Sequence, residues 1–309
     1  MSNISIIIPF LNEEGNIEKL GSELIQFTTK YSHLQFEIIL VNDGSEDGSI
    51  QKIKQTIFPP STKLISLSQN YGSHAALRAG IQQAKGNLTC FVYADLQDPL
   101  SLVIDMYNEI NNGNNDIVWA VRKETGTKGF EKNFSKWYAS LMQKFVSSKF
   151  PQKGFDVVMF NKKVASILNN NIEANSSIFL QILTLGFKQS TIEYNKKNRI
   201  AGKSKWTVAK KVKLLIDSFV AFSFAPIRFV SIVGFTFFIL GVLWTIYVVS
   251  RKLIFNDLDH GWPALTSILL LGFGITNIAL GIIAEYLWRT LDASRKRPVF
   301  VIDEIINLS

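Results

Sequence analysis

Along its first 120 residues the chain alternates short apolar runs, rich in β-branched side chains, with longer stretches whose apolar positions recur every three or four residues. The runs at 4–8, 36–42, 63–67, 88–93 and 116–121 predict strands. Residues 14–29, 47–57, 73–84 and 101–112 have the length and period of crossover helices. Strand and helix in repeated alternation predict an α/β fold with a parallel sheet. In such sheets ligands collect beyond the carboxyl ends of the strands, so the residues after each run are where chemistry is expected.

The pattern changes after residue 206. Residues 229–250 and 261–284 are two stretches, of 22 and 24 residues, without a charge. At about 1.5 Å per helical residue each is long enough for about 30 Å of hydrocarbon, and Trp244, Tyr247, Trp262, Tyr286 and Trp288 suit the interfaces. The short link between them predicts a hairpin. Residues 207–224 put Lys210, Lys211 and Lys213 near one end of an apolar helix, which reads either as an interfacial helix or as a core helix of the preceding domain.

Charge sharpens this division. The 309 residues hold 33 basic and 25 acidic groups; residues 1–202 hold 21 and 18 of them, which leaves 12 and 7 beside the apolar stretches. An excess there points to an anionic membrane surface as partner and away from nucleic acid. Lys203, Lys205, Lys210, Lys211, Lys213 and Arg228 precede the first span and Arg289, Arg295, Lys296 and Arg297 follow the second. The link has only Arg251 and Lys252, so both termini are expected in the cytoplasm. The first 12 residues lack a basic lead and their apolar run stops at Pro9, unlike a signal peptide. A single cysteine, Cys90, excludes a disulfide framework, and no Cys/His cluster is present to hold zinc.

The strand ends carry oxygen-rich polar groups rather than glycine phosphate loops. Neither GxGxxG nor GxxxxGK[ST] occurs, which argues against a nicotinamide dehydrogenase and a P-loop NTPase. Asn12, Glu13 and Glu14 follow the first run, and Asn42-Asp43-Gly44-Ser45 the second; such groups suit a base and ribose hydroxyls. After the fourth run, Asp95 and Gln97 are close enough to reach one hard cation, Mg²⁺ or Mn²⁺.

Taken in order, Pro9 with Asn12-Glu13-Glu14, the Asn42–Ser45 turn, Ser68-Gln69-Asn70-Tyr71-Gly72, Asp95-Leu96-Gln97-Asp98-Pro99 and Gly202-Lys203-Ser204-Lys205-Trp206 resemble the inverting GT-A glycosyltransferases of family 2. Within it they resemble the polyprenyl-phosphate glycosyltransferases that include dolichyl-phosphate mannose synthase, and the two apolar stretches resemble the bacterial undecaprenyl-phosphate glucosyltransferase branch. The resemblance implies a GT-A domain, Rossmann-like with a mostly parallel sheet and flanking helices, over 1–206 in the cytoplasm. It implies an amphipathic interfacial region over 207–226, a transmembrane hairpin over 227–288 in the cytoplasmic membrane, and a cytoplasmic tail over 289–309. The implied reaction moves one sugar from a nucleotide sugar, a UDP-sugar such as UDP-glucose, to a polyprenyl phosphate.

Residue by residue, the resemblance implies that Pro9, Asn12, Glu14 and Asp43 line the nucleotide, with Arg78 nearby. Asp95 and Gln97 would hold Mg²⁺ or Mn²⁺ on the diphosphate, Arg199, Lys203 and Lys205 would close over phosphates, and Asp156 would be the catalytic aspartate. Read alone, Asp156 is an Asp before a strand, a cap. The family often has Asp at position 93 and Arg at position 158, where this chain has Tyr93 and Val158. Arg122, Lys123 or Lys128 is then the substitute cation, within a Gly- and Lys-rich segment, 122–137, that reads as a loop over the site. Transfer to diacylglycerol or a growing polysaccharide, and a membrane-anchored scaffold without chemistry, stay open as alternatives. Gly234 and Gly241, or Gly274 and Gly281, are where helices of a homo-oligomer could approach.

Overall fold

The computed structural model describes residues 3–123, 130–151, 155–173, 176–196, 262–294 and 297–308, with scattered helical positions from 230 to 254. The chain divides into two compact units, one of residues 1–215 with 298–309 and the other of 216–297.

In the first unit the order is β1 (Asn3–Phe10), a 3₁₀ turn (Glu14–Asn16), α1 (Ile17–Lys30), β2 (Gln35–Asn42), α2 (Ser49–Gln55), β3 (Thr62–Leu67), α3 (Ser73–Gln83), β4 (Leu88–Phe91) and α4 (Ser101–Gly113). There follow β5 (Ile117–Arg122), α5 (Phe130–Phe145), β6 (Phe155–Asn161), α6 (Lys162–Asn170), α7 (Ile178–Thr184) and β7 (Gln189–Tyr194). The second unit contains α8 (Trp262–Ser294), after which the chain returns to the first as β8 (Ile302–Leu308).

The described strands form one sheet in the order β7-β5-β6-β4-β1-β2-β3-β8. β1 pairs in parallel with β2 and β4, β2 with β3, and β5 with β7; β6 and β8 run the other way. β1 is apolar almost throughout because both of its faces are covered. Ile4, Ile6 and Ile8 join one buried cluster with Leu20 and Leu24 of α1 and Val103 and Met106 of α4. Ile7, of opposite parity, meets α3, where a Cβ on Gly80 would lie 2.3 Å from the Ile7 side chain. Any larger residue there would push α3 off the sheet.

All five strands and four helices expected from the pattern are present within a few residues. The sheet is larger than that reading, however, because β6, β7 and β8 join it. The segment 122–137, read as a loop, is helical from Phe130 onward, and 124–129 lie outside the described residues. The last residues pair with β3 in antiparallel register, Thr62↔Leu308 through Leu67↔Ile302, and the Ser68 N–H donates to the Val301 carbonyl at 3.0 Å.

Counted over the described residues, no helix is long and apolar enough to cross a membrane. α8 is 33 residues long, and some of its positions fall outside that count. Its large apolar side chains Leu265, Phe273, Ile278, Leu280, Leu287 and Trp288 are 51–67% exposed.

Candidate active site

The strand order reverses direction between β1 and β4: from β1 the chain moves outward through β2 and β3, then returns to β1's other side. That is the topological switch point, and the carboxyl ends of β1 to β4 all open at this edge. The β1–β4 ladder stops at Ile7↔Phe91. Two residues on, Pro9 has no N–H with which to extend it toward β4, although it still pairs with Val41 on the other side.

The loops beyond β1, β2 and β3 are tied together. Asn12 adopts a left-handed conformation (φ 51°), which Asn tolerates better than most residues. Its N–H donates to Ser45 Oγ (2.9 Å) and its Oδ1 accepts from the Glu46 N–H (2.9 Å). The Glu14 N–H donates to Asp47 Oδ2 (3.2 Å), and the Glu14 carboxylate accepts from the Gly48 N–H (3.3 Å). Asp43 is 4% exposed; its Oδ1 accepts from the backbone N–H groups of Tyr71 (2.8 Å) and Gly72 (3.1 Å). Gly44 (φ 71°) makes the approach possible, since a Cβ there would lie 2.5 Å from the Asn70 nitrogen. Burial pushes the Asp43 carboxyl up, against the pull of those two amides.

The loop beyond β4 carries the oxygen pair. The Gln97 N–H donates to Asp95 Oδ1 (3.2 Å), closing a tight turn with Leu96 between them at φ 54°. A left-handed leucine costs about 1–2 kcal/mol. It is held because the Leu96 side chain is buried in the main apolar cluster. A carboxylate and an amide carbonyl are hard oxygen donors that fit Mg²⁺ or Mn²⁺. Among the described residues no group of three or more His, Cys, Asp or Glu forms a protein cage. A cation held by Asp95 and Gln97 would complete its shell with diphosphate oxygens and water, the usual manner of Mg²⁺ at phosphate sites.

Asp156 is the second residue of β6, inside a strand rather than ahead of it. The β5–β6 register passes from Ala120↔Val157 to Val121↔Phe155, so Asp156 is the extra residue of a bulge. Bulges recur beside active sites, where they re-aim a side chain. Because β6 is antiparallel to β4, its start lies at the strand-end edge. The pairing of β6 with β4 runs from Leu88↔Asn161 to Cys90↔Met159 and ends before Asp156. The Asp156 side chain, and Arg199, Lys203 and Lys205 entirely, lie outside the described residues.

The hydrogen bonds of Arg78 lead away from this cluster. Arg78 is 3% exposed on α3, and its Nη1 and Nη2 donate to Gln181 Oε1 (2.7 Å) and Ser176 Oγ (3.2 Å). Burial pulls its pKa down to about 10, opposed by the charge of Glu173. Ser45 and Asp98 stand inside the motifs read above without the roles the structure gives them, and Asp47 was not singled out: Ser45 and Asp47 hold Asn12 and Glu14, and Asp98 accepts from the Tyr194 hydroxyl (2.6 Å). The repeated Asx-Gly-Ser spacing in Asn42–Ser49 is a signal that marks Ser45 and Asp47 as turn-forming residues. Nothing local marks Asp98.

Comparison with known proteins agrees with this architecture. Residues 5–172, more than half the chain, match the family described as Glycosyl transferase family 2. The chain is 31% identical to the uncharacterized glycosyltransferase YkcC of Bacillus subtilis, over 97% of this chain and 93% of that one. It is 28% identical to the prophage bactoprenol glucosyl transferase homolog of Escherichia coli K12, over 98% and 99%. It is also 28% identical to the undecaprenyl-phosphate 4-deoxy-4-formamido-L-arabinose transferase of Proteus mirabilis, over 100% and 95%. Its fold is similar to that of glucosyl-3-phosphoglycerate synthase from Mycobacterium tuberculosis, solved with Mn²⁺, UDP and phosphoglyceric acid. The TM-score is 0.51 at 16% identity, over 71% of this chain and 76% of that one. Sequence and fold thus lead to the same place: the chain belongs to glycosyl transferase family 2 and is a glycosyltransferase.

Proposed function

We propose that this enzyme transfers one sugar from a UDP-sugar to a polyprenyl phosphate at the cytoplasmic face of a membrane, with inversion at the anomeric carbon. The observation that carries the reading is the gathering of Asn12, Glu14, Asp43, Asp95 and Gln97 at one sheet edge beside the switch point. Relatives named for bactoprenol and undecaprenyl phosphate, matched over nearly their full length, support the acceptor class.

The Tyr71 and Gly72 amides both bond to Oδ1 of the Asp43 carboxylate, which leaves Oδ2 for a base or ribose donor. Asp95 and Gln97 would hold the divalent ion, whose charge, when bound, favours departure of the diphosphate. Arg199, Lys203 and Lys205 add cationic charge to the leaving group or to the acceptor phosphate. The acceptor phosphate has a second pKa of ~6, so it arrives largely dianionic and needs little help from a base. Asp156 then orients the acceptor, whose oxygen bonds to the anomeric carbon as the bond to the diphosphate oxygen breaks on the opposite face.

The membrane part of the reading is a hairpin within 227–288. The exposed apolar side chains along α8 support it, because water-facing surfaces rarely carry so many on one helix. β7 and β8, which precede and follow this stretch, belong to one sheet, which supports reading an even number of crossings between them.

The test supplies the full-length protein in detergent with labelled UDP-sugars, Mn²⁺, and undecaprenyl phosphate, diacylglycerol or an oligosaccharide. Label is expected in undecaprenyl phosphate, one sugar per lipid. Label confined to diacylglycerol or to chains of several sugars overturns the acceptor assignment.

A further inference from the structure

The connection from β5 to β6 starts and finishes at one edge of the sheet. β6 is antiparallel to both β4 and β5, so β5 ends and β6 begins where β1 to β4 open toward the proposed donor site. α5 (Phe130–Phe145) therefore belongs to an excursion that leaves and rejoins the sheet at this edge, not to a crossover.

The two faces of α5 differ. Ala139 and Met142 are 2% and 0% exposed, and Gln143 Nε2 donates to the Phe150 carbonyl at 2.7 Å. The rings of Tyr138, Phe150, Phe155 and Trp119 meet in turn, with centroids 5.8, 5.2 and 4.4 Å apart. Phe155 is the first residue of β6, so this row of rings fixes α5 to the strand-end edge. On the opposite side Trp137, Leu141 and Phe145 recur every fourth residue, which sets them in one stripe. Trp137 is 52% and Phe145 39% exposed, and Leu141 between them is half-buried. Among the described residues of the first unit no other Phe, Trp or Tyr is exposed.

A single exposed apolar side chain is ordinary, but an aromatic stripe over about two helical turns is a surface that gains by leaving water. Lys144 stands in the stripe with its Nζ 5.4 Å from the centre of the Phe145 ring, so its stem follows apolar surface to a charged tip. Lys149 is exposed just beyond the helix. Residues 130–149 hold four lysines and one acid, Glu131. Aromatic rings rimmed by lysines fit the headgroup region of an anionic bilayer, where rings enter the acyl boundary and ammonium groups meet phosphate. A second copy of this chain seated on the same stripe would bring two like-charged faces together.

We propose that the outer face of α5, formed by Trp137, Leu141 and Phe145 with Lys144, docks on anionic phospholipid and holds the strand-end edge of the catalytic unit at the headgroup layer. This rests on the reading above, in which the acceptor is a lipid phosphate. Docking sets how readily that phosphate reaches the site and takes no part in the chemistry.

The experiment uses the full-length protein reconstituted into vesicles of phosphatidylcholine, alone or mixed with phosphatidylglycerol. An environment-sensitive fluorophore is attached at Phe145→Cys or, as a second position, at Trp137→Cys; native Cys90 is buried. The control label is at Ile57→Cys, since Ile57 is 79% exposed and lies between α2 and the start of β3, at the other edge of the sheet. Lipid carrying a nitroxide just below the headgroup is the quencher. Quenching is expected at positions 145 and 137, stronger with phosphatidylglycerol than without, and not at position 57. In the unlabelled protein, Trp137→Ser with Phe145→Ser should raise the KM for undecaprenyl phosphate in the mixed vesicles about tenfold, the scale of taking part of an aromatic side chain out of lipid. Its Mn²⁺·UDP affinity should stay within about twofold.

Labels at 145 and 137 quenched no more than the label at 57 overturn the docking surface, whether or not the serine variant folds. So does self-quenching at 145 that is relieved by diluting labelled with unlabelled protein, in the absence of quenching by lipid, because a second copy then covers the stripe. A folded serine variant with the wild-type KM overturns it as well. Lipid quenching at 145 and 137 in an enzyme that transfers no sugar to undecaprenyl phosphate upholds the surface and overturns the acceptor assignment instead.

Discussion

Strand β2 carries a buried acid near its start and another just past its end, and the two are opposite in character. Glu37, at the amino end, is saturated: Ser5 Oγ donates to it at 2.5 Å, Lys63 Nζ lies 2.7 Å away, and the Lys85 N–H donates at 2.8 Å. Burial pushes its carboxyl up, but Lys63, Ser5 and the Lys85 amide outweigh this and hold it below the usual range. Asp43, at the carboxyl end, is bonded by two backbone amides in place of a cation, and burial wins. A groove of about 560 Å³ lies beside Glu37, lined by Lys63, Lys85, Gln35 and Asn307 among others. Glu37, its one acid, is already paired with Lys63 and bonded by Ser5 and the Lys85 amide. The lesson is that burial alone does not mark a functional acid; a buried carboxylate whose charge is left uncompensated does.

The largest expected effect tests the carboxyl edge at its metal-binding end. Asp95→Asn should lower turnover by about 10²- to 10³-fold, the scale of removing one preorganised electrostatic group, while the circular dichroism spectrum and thermal midpoint stay those of the wild type. Near wild-type turnover with unchanged Mn²⁺ dependence would remove Asp95 from the site.

Asp43→Asn breaks the comparison directly. The amide oxygen can still accept from Tyr71 and Gly72, but the charge is gone. UDP affinity should fall by about tenfold or more, as for a hydrogen bond to a charged group. The nucleotide-free protein should be as stable as the wild type or more so, because a raised folded-state pKa means ionisation of Asp43 opposes folding at neutral pH. Loss of stability without loss of UDP binding would make Asp43 a second Glu37.

Glu37→Gln should do the reverse. Removing one partner of a buried pair leaves Lys63 uncompensated, and about 2–3 kcal/mol of stability should be lost in urea titrations, with kcat per folded molecule unchanged. A drop in UDP affinity of the size expected for Asp43→Asn would erase the distinction between the two ends of β2.

The smallest effect is in pH. The folded-state pKa of Glu37 is depressed, so its contribution is present above its unfolded pKa, about 4.5, and is lost as pH falls through the folded value. Asp43 is raised, so it favours the folded state below its unfolded pKa and opposes it as pH rises through the folded one. Thermal midpoints measured from pH 6 to pH 3 should therefore fall less steeply in Glu37→Gln than in the wild type, and more steeply in Asp43→Asn. Parallel curves for all three proteins would show that neither acid contributes differentially.

Much of the strand-end edge is legible in the sequence. Asn12, Glu14, Asp43, Asp95 and Gln97 are the polar residues just beyond successive apolar runs, and the run boundaries agree with the strands to within a few residues. Short range explains that success: a strand of alternating or continuous apolar residues, then a turn rich in Asn, Asp and Gly, is a local signal. Arg78 shows the limit. The family resemblance implies that it lies near the nucleotide, and nothing in the sequence around it shows that its guanidinium bonds to Gln181, 103 residues away. The bulge at Asp156 and the pairing of Asp98 with Tyr194 are equally invisible, since neither changes the periodicity around it.

The sequence by itself determined the β-α alternation, the order of the strand-end groups, the two uncharged stretches and the basic residues that flank them. Each depends on residues within a turn or two of one another. Tertiary structure alone decided that β6 inserts antiparallel between β4 and β5, so that its start lies toward the carboxyl end of β4, and that β8 closes the far edge against β3. The physical reason is that a strand's apolar face is equally well covered by many partners. Which partner it takes depends on how all the helices and strands pack at once, with loops of tens to hundreds of residues closed at a cost that grows only slowly with their length.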